Sequence, residues 1–236
     1  SEKRPRAVAS ARGISYDRDK GGDGVIEILE QTPGLVVCIK PVGVRAQGEA
    51  EADLPALLKR QLGCEIYPVH RLDQAVGGVM VFAKTAPAAA KLSQAMAEGT
   101  LQKEYLAMLG ARPKDDSGEL FDLLFHDRFK NKTYVVSKER KGVKKASLSY
   151  RVVAEADGRW LVHVRLRTGR TYQIRVQFAS RGCPLAGDGK YGGKGSAPLL
   201  WSYRLAFPDP RDGTMRIFER RPEESAWDVL FAEQQQ

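Results

Sequence analysis

The sequence has few residues that ligate metals or form disulfides. Its 236 residues include three cysteines (Cys38, Cys64 and Cys183) and three histidines scattered along the chain. An odd number of cysteines at these spacings fits neither a zinc site nor a disulfide framework, so we expect small, buried, reduced cysteines in a cytoplasmic protein. Because no two histidines stand at a metal-binding spacing, the sequence predicts no metal site.

The sequence also lacks long apolar runs and the common nucleotide-binding motifs. Its longest apolar runs, such as residues 35–39, are far too short to span a membrane, and residues 1–6 lead into no secretory signal. There is no P-loop, no G-x-G-x-x-G after a predicted strand and no G-x-S-x-G nucleophile elbow. The sequence therefore supports neither membrane insertion nor nucleotide hydrolysis, hydride transfer or serine hydrolase chemistry.

Positive charge is what the sequence has in excess. Lys and Arg outnumber Asp and Glu by 38 to 29, and the formal net charge of +9 favours a polyanionic partner such as nucleic acid. The densest basic segment, residues 125–147, also carries Phe129 and Tyr134. Its cations include Arg128, Lys130, Lys132, Lys138, Arg140, Lys141, Lys144 and Lys145. We predict that this segment lines a groove for nucleic acid through phosphate contacts; the alternative is a solvated, flexible loop.

The pattern of apolar residues and turn residues predicts one folded domain over residues 25–232, after a flexible basic tail over residues 1–24. Predicted strands outnumber predicted helices and many connections are short. This indicates an α+β fold, a single domain on a large mixed, mainly antiparallel sheet flanked by helices and loops. The strands are expected at 25–29, 35–40, 79–83, 102–109, 162–166, 199–205 and 215–218, and the helices at 54–62, 85–98 and 171–181.

Local residue patterns also predict how two of these helices begin and pack. Asp53 and Thr85 stand at their starts and are expected to cap them. Ala89, Leu92 and Met96 recur at helical spacing, so we expect them to form the buried face of the second helix.

The segment His70-Arg71-Leu72-Asp73 forms a short loop before a buried apolar strand. A carboxylate held in such a loop can act as a nucleophile if it stays ionised. A nearby Arg71 would favour ionisation by lowering the pKa of Asp73, by about 1–3 units. The alternative for these residues taken alone is a surface ion pair.

Four blocks of the sequence, in order, resemble the motifs of the RluA-type pseudouridine synthases. Residues 70–73 with 77–84 resemble the signature loop, residues 35–44 the first motif, residues 103–107 the K-x-Y strand, and residues 168–176 with 184–192 the last motif. The chain departs from the family at Tyr172 and Gln177, where the last motif often has histidines. Residues 74–78 also differ from the run that commonly follows the aspartate.

The resemblance implies roles for individual residues. Asp73 corresponds to the nucleophile, and Tyr105 to the tyrosine that stacks on the target base and is a candidate for assisting proton removal at C5. Arg175 corresponds to the arginine that pairs with the aspartate, and Arg71 to the residue that enters the space left by the flipped nucleotide. Further candidates for RNA contacts are His70, Lys103, Arg170, Gln173, Arg128, Lys141, Lys144 and Lys145. For His70, Arg170 and Gln173 the alternative is hydrogen bonding within the loops.

The implied function is an RNA pseudouridine synthase that flips and isomerises uridine in ribosomal or transfer RNA. The resemblance implies RNA as the partner and no cofactor, metal or membrane. A monomer is the default expectation. Many relatives carry an S4-type RNA-binding domain before the catalytic domain, and because only about two dozen residues precede Val25 we expect none here. One alternative is a non-catalytic RNA-binding or RNA-folding module on the same scaffold. A carboxylate glycosidase is a weaker alternative, because it needs a second catalytic carboxylate that does not stand out in the matched blocks.

Overall fold

The computed structural model describes residues 25–48, 50–223 and 227, so the predicted tail and residues 228–232 of the predicted domain lie outside the described residues. Over the described residues, the strands are β1 (Ile28–Gln31), β2 (Leu35–Lys40), β3 (Tyr67–Pro68), β4 (Gly77–Ala83), β5 (Gln102–Leu109), β6 (Ser117–Asp127), β7 (Lys132–Val136), β8 (Val143–Ala156), β9 (Arg159–Leu166), β10 (Leu200–Pro208) and β11 (Met215–Glu219). The helices are α1 (Leu54–Leu62), α2 (Ala86–Ala97) and α3 (Gln173–Ala179), with a 3-10 turn at Gly189–Tyr191.

All of these strands join one mixed sheet, in the order β1-β2-β4-β10-β5-β9-β8-β6-β7, with β3 added to β4 and β11 to β10. The described strand pairs are antiparallel except β4 with β10, which are parallel where Ser202 faces Gly78. Gly78 has φ +120°, and a Cβ there would lie 2.3 Å from the Ser202 carbonyl oxygen, so only glycine lets these two strands approach. The predicted α+β fold on a large, mainly antiparallel sheet is confirmed.

The middle of the sheet is buried on both faces. Along β5, Tyr105 points to the face covered by α1 and α3, and Leu106 points to the face covered by α2. Ile174 and Phe178 of α3 both lie in the first core, as their spacing of four residues predicts. Because cores pack against both faces of β5, the backbone that carries Tyr105 is held rigidly.

The predicted caps and the buried face of α2 need two corrections. Thr85 does cap α2, since its Oγ1 accepts a hydrogen bond from the Ala88 N–H at 3.3 Å. Asp53 does not cap α1 with its side chain; its carboxylate instead accepts from Arg45 Nε at 2.7 Å and from the Ala50 N–H at 3.1 Å.

The buried face of α2 consists of Ala88, Leu92 and Ala95, whereas Met96 is 37% exposed. The helix is turned by one residue from the predicted face, because its many alanines leave the phase of the apolar pattern undefined.

The basic segment over residues 125–147 is ordered β-structure. It comprises the end of β6, all of β7 and the start of β8, which pair antiparallel at one edge of the sheet. The sequence analysis did not predict these strands. In β7 and at the start of β8 the lysines hide the alternation that marks a half-buried strand, and in β6, which has no Lys or Arg, only Leu120 and Leu124 are buried. Over the described residues, none of the helices is long and apolar enough to cross a membrane.

Candidate active site

The loop that carries Asp73 lies between β3 and β4 and is anchored at both ends. Before Asp73, the His70 Nε2 accepts a hydrogen bond from the Val81 N–H at 3.1 Å. After Asp73, the Gln74 carbonyl accepts from the Gly43 N–H at 2.7 Å and from Lys40 Nζ at 3.2 Å. Lys40 at the end of β2 and Gly43 shortly after it therefore hold the loop in place.

Arg175 of α3 joins two carboxylates. Its Nε and Nη2 each donate to Asp188 at 2.7 Å, and its Nη1 donates to Asp73 at 3.4 Å. The short pair is almost completely buried, with side-chain exposures of 7% for Arg175 and 1% for Asp188. Asp188 thus takes the strong bidentate interaction, and Asp73 receives only the longer third contact.

Aromatic rings complete the surroundings of Arg175. Its guanidinium lies 4.8 Å from the centre of the Tyr172 ring and 5.2 Å from that of Tyr191. Such contacts hold a guanidinium in one orientation. Tyr172 adopts a left-handed backbone conformation (φ 56°) just before α3, and its Oη bonds to Asn131 Oδ1 at 3.0 Å. The chain's tyrosine at this position therefore ties α3 to the turn between β6 and β7.

The second departure from the family motif lies on the other side of α3. Gln177 is completely buried, and its Nε2 donates to Asp122 Oδ2 at 2.7 Å. Asp122 also accepts hydrogen bonds from Arg181. Gln177 therefore serves a local contact between α3 and β6.

Burial raises the pKa of Asp73, although the nearby charges of Arg175, Arg71 and Lys190 act in the opposite direction. The expectation of a lowered pKa was therefore wrong. The physical reason is that desolvation of a mostly buried carboxyl outweighs an arginine that is already neutralised by Asp188. Asp73 is consequently a poorly compensated carboxylate, which is the state in which a nucleophile or base is most reactive.

Lys40 is a second buried cation near Asp73. Its side chain has no solvent exposure, and its Nζ donates to the Pro41 carbonyl at 2.8 Å as well as to Gln74. Burial lowers the pKa of Lys40 to about 7, against the charge of Asp73, which raises it. The Lys40 side chain therefore serves to position the loop through two backbone carbonyls.

Asp73, Tyr105 and Arg175 line one cavity of about 330 Å³. Tyr105 is 6% exposed, and burial together with the charge of Asp73 raises the pKa of its phenol. The ring is therefore a neutral phenol at neutral pH, able to stack and to donate a hydrogen bond. The cavity wall also includes His70, Arg71, Lys103, Arg170 and Gln173. Among the described residues, no cluster of three or more His, Cys, Asp or Glu side chains could hold a metal ion.

Three of the RNA-contact candidates, Gln173, His70 and Arg170, are engaged in local hydrogen bonds; Arg170 Nε donates to the Lys145 carbonyl at 3.0 Å. Gln173 is 3% exposed; it accepts from Thr168 Oγ1 at 2.8 Å and from the Arg170 N–H at 3.0 Å, and it donates to the Ser147 carbonyl. Its polar atoms thus stabilise the turn after β9. Burial lowers the pKa of His70 to about 3, so its imidazole is neutral and supports the loop.

The exposed cations differ in their distance from the cavity. Arg71 is exposed and has neither an ion pair nor a hydrogen bond with the residues that the structure describes. After burial, the positive charges of Arg71 and Arg128 both contribute to lowering the pKa of His126. Lys141, Lys144 and Lys145 do not line the cavity, and Lys145 pairs with Glu139 at 3.1 Å. Their contact with RNA stays a prediction.

The sequence analysis assigned no role to Asp188, although it quoted the residue within the last motif. The usable signal was that a single carboxylate, Asp188, stands in a glycine-rich run that follows the motif bearing Arg175. A buried arginine requires a buried counter-charge, and this carboxylate is the nearest in sequence.

Comparison with known proteins gives a consistent result. The family model described as RNA pseudouridylate synthase matches residues 34–180. A Bacillus subtilis protein named "Uncharacterized RNA pseudouridine synthase YhcT" is 33% identical over 180 residues, which are 72% of this chain and 59% of that protein. The ribosomal large subunit pseudouridine synthase D of Nitrosomonas europaea is 31% identical over 214 residues, 82% of this chain and 61% of that protein. The chain spans about half to three fifths of the length of the curated relatives it matches.

Two solved human structures share the fold. The protein described as RNA pseudouridylate synthase domain containing 1 superposes with a TM-score of 0.71 at 20% identity, and 83% of each chain is covered. The protein described as domain containing 4 superposes with a TM-score of 0.69 at 23% identity, with 84% of this chain and 89% of that chain covered.

Proposed function

Because the chain belongs to the RNA pseudouridylate synthase family, we propose that it isomerises uridine in RNA to pseudouridine, with Asp73 as the nucleophile. The observation that carries this proposal is that Asp73, Tyr105 and Arg175, far apart in the chain, line one cavity. Its volume, about 330 Å³, lies in the range of pockets that hold small ligands. Relatives named ribosomal large subunit synthases favour ribosomal RNA as the substrate, with transfer RNA as the second possibility.

The reaction needs no atom from outside the substrate. The N1–C1′ bond breaks, the uracil rotates, the C5–C1′ bond forms, and N1 gains a proton while C5 loses one. No cofactor or metal is therefore required. The poorly compensated carboxylate of Asp73 is suited to attack the nucleotide, and Arg175 holds it in position.

The uridine must leave its stack before it can enter the cavity. Flipping costs a few kcal/mol, and stacking on an aromatic ring returns about 1–3 kcal/mol. Tyr105 supplies the ring, and the unpaired, exposed Arg71 would occupy the vacated place in the RNA. Since the pKa of Tyr105 is raised, its neutral phenol is a poor general base for the C5 proton. A monomer in the cytoplasm remains our expectation.

The test uses unmodified transcripts of large-subunit ribosomal RNA and of transfer RNA labelled with tritium at uracil C5. The wild-type protein should release tritium, and Asp73→Asn should release none while still binding the RNA. Asp115→Asn is the matched control, because Asp115 is exposed and does not line the cavity; it should keep full activity. Full activity of Asp73→Asn would refute the role of Asp73, and RNA binding without release by the wild type would favour a non-catalytic RNA-binding module.

A further inference from the structure

A second cavity, of about 770 Å³, adjoins the candidate active site. The two cavities share Met96, Lys103, Leu166, Gly169 and Arg170 in their walls. From this shared wall the second cavity extends between the C-terminal end of α2 and the end of β9. A ligand that leaves the first cavity on this side must pass Lys103.

The wall of the second cavity is cationic. Lys103, Arg165, Arg167 and Arg170 line it, and among its described lining residues there is no carboxylate. Arg167 pairs with Glu119, and Arg170 donates to the Lys145 carbonyl at 3.0 Å. The side chains of Lys103 and Arg165 have no ion pair or hydrogen bond with any residue that the structure describes. The cavity is thus electrostatically suited to an anion with several charged groups in a row.

Lys103 stands at the boundary between the two cavities. A Cβ on residue 169 would lie 2.7 Å from its Nζ, so glycine at this position leaves room for the ammonium group. The ammonium group is mostly buried, and burial lowers the pKa of Lys103 with no carboxylate to oppose it. An ammonium withdrawn from water without a counter-ion is costly in the free protein, and an anionic ligand would remove that cost.

We propose that the second cavity binds the phosphodiesters of the RNA strand next to the flipped uridine, with Lys103 at the nearest phosphate and Arg165 farther along the strand. This inference rests on the proposed function, since the same RNA must supply the uridine and the phosphates. The basic segment over residues 125–147 lines neither cavity. Of the cations in the second cavity, the sequence analysis selected Lys103 and Arg170 for RNA contacts but not Arg165. Phosphate contacts of this kind fix the register of a strand without reading its sequence.

The first experiment measures the affinity for an unmodified transcript of large-subunit ribosomal RNA as a function of salt concentration. Lys103→Met and Arg165→Gln should each weaken binding several-fold and reduce the salt slope by about 0.7 if they contact a single strand. Arg165 is exposed, so its variant tests the proposal without disturbing the core. Lys114→Met is the control, because Lys114 is an exposed cation beyond the opposite end of β5 from Lys103.

The second experiment locates the phosphates. In a nine-nucleotide RNA with one uridine among adenosines, each linkage in turn is replaced by a neutral methylphosphonate. Neutralising the linkage nearest the uridine on one side should weaken binding by the wild type but not by Lys103→Met. An unchanged salt slope in both variants would overturn the inference. It would also be overturned if, at every neutralised linkage, Lys103→Met lost as much binding affinity as the wild type.

The two proposals can fail separately. Tritium release by the wild type together with an unchanged salt slope in both variants would refute only the phosphate binding in the second cavity. A reduced salt slope and a linkage-specific loss of affinity without any tritium release would refute the isomerase activity but not the phosphate binding in the second cavity.

Discussion

Replacing Asp188 by asparagine tests how Arg175 is shared between two carboxylates. In the structure both carboxylate oxygens of Asp188 accept 2.7 Å hydrogen bonds from Arg175, and Asp73 receives one contact at 3.4 Å. Asp188→Asn keeps the shape of the side chain but removes its charge and turns one acceptor into an NH₂ donor that faces a donor. Arg175 should then be drawn towards the remaining carboxylate of Asp73.

The expected magnitudes follow from the burial of the pair. Removing one partner of a buried ion pair costs about 3–5 kcal/mol of folding free energy. Because Asp73 can take over part of the compensation, we expect the lower end of this range, about 3 kcal/mol. A displacement of Asp73 by about 1 Å should lower kcat on the order of 100-fold. With Arg175 no longer neutralised by Asp188, the pKa of Asp73 should fall.

The assay combines urea denaturation with tritium release as a function of pH. The proposed role of Asp73 as nucleophile requires its ionised form, so the kcat/KM of the wild type should decline as the pH falls through the raised pKa of this carboxyl. In Asp188→Asn this acid limb should move to lower pH, because the pKa of Asp73 falls. Asp115→Asn serves again as the control and should change neither quantity. An unmoved acid limb together with an unchanged free energy of unfolding would refute the role given to Asp188.

Three further experiments test the loop, the close approach of β4 and β10, and the stacking ring. Lys40→Met should flatten the pH dependence of stability. In the wild type, burial lowers the pKa of Lys40 from its ordinary 10.5 to about 7, so between these pH values the unfolded chain binds more protons than the folded chain. The free energy of unfolding from urea titrations should therefore rise between pH 7 and pH 10, and in Lys40→Met it should rise less. Gly78→Ala should lower the free energy of unfolding by roughly 2–4 kcal/mol, since its Cβ would meet the Ser202 backbone. The control Gly158→Ala, at φ +67° with open space around it, should lower it by about 1 kcal/mol. Equal losses in the two variants would contradict the close approach of the strands. Tyr105→Phe should keep RNA affinity within about twofold, and Tyr105→Ala should lose about 1–3 kcal/mol of binding energy; equal affinities of the two variants would argue against stacking.

Much of the fold was predictable because it depends on neighbours in the chain. The apolar runs over residues 35–40 and 102–109 coincide with β2 and β5, and helix 54–62 coincides with α1. Glycine and proline mark the ends of these elements. The strands β6, β7 and the first half of β8 escaped prediction, because their pairing at the sheet edge is a long-range interaction that tolerates polar and charged residues on the exposed face.

The candidate site divides in the same way. The loop with Asp73 and the motifs with Tyr105 and Arg175 can be located in the sequence, because each is a short pattern whose residue types suit the chemistry. Their common cavity arises because α3 packs on the face of the sheet to which Tyr105 of β5 points, at the end where the loop enters β4.

The electrostatics of the site cannot be derived from sequence neighbours. Arg71, two residues from Asp73, suggested a lowered pKa, but the raised pKa follows from burial and from the bidentate capture of Arg175 by Asp188. Desolvation depends on every element packed around a group, and charge compensation depends on distances of a few ångströms between residues far apart in the chain. The residue type of the proposed nucleophile can therefore be identified from the local sequence, whereas its protonation and the cationic cavity wall beside it exist only once the strands and helices have assembled.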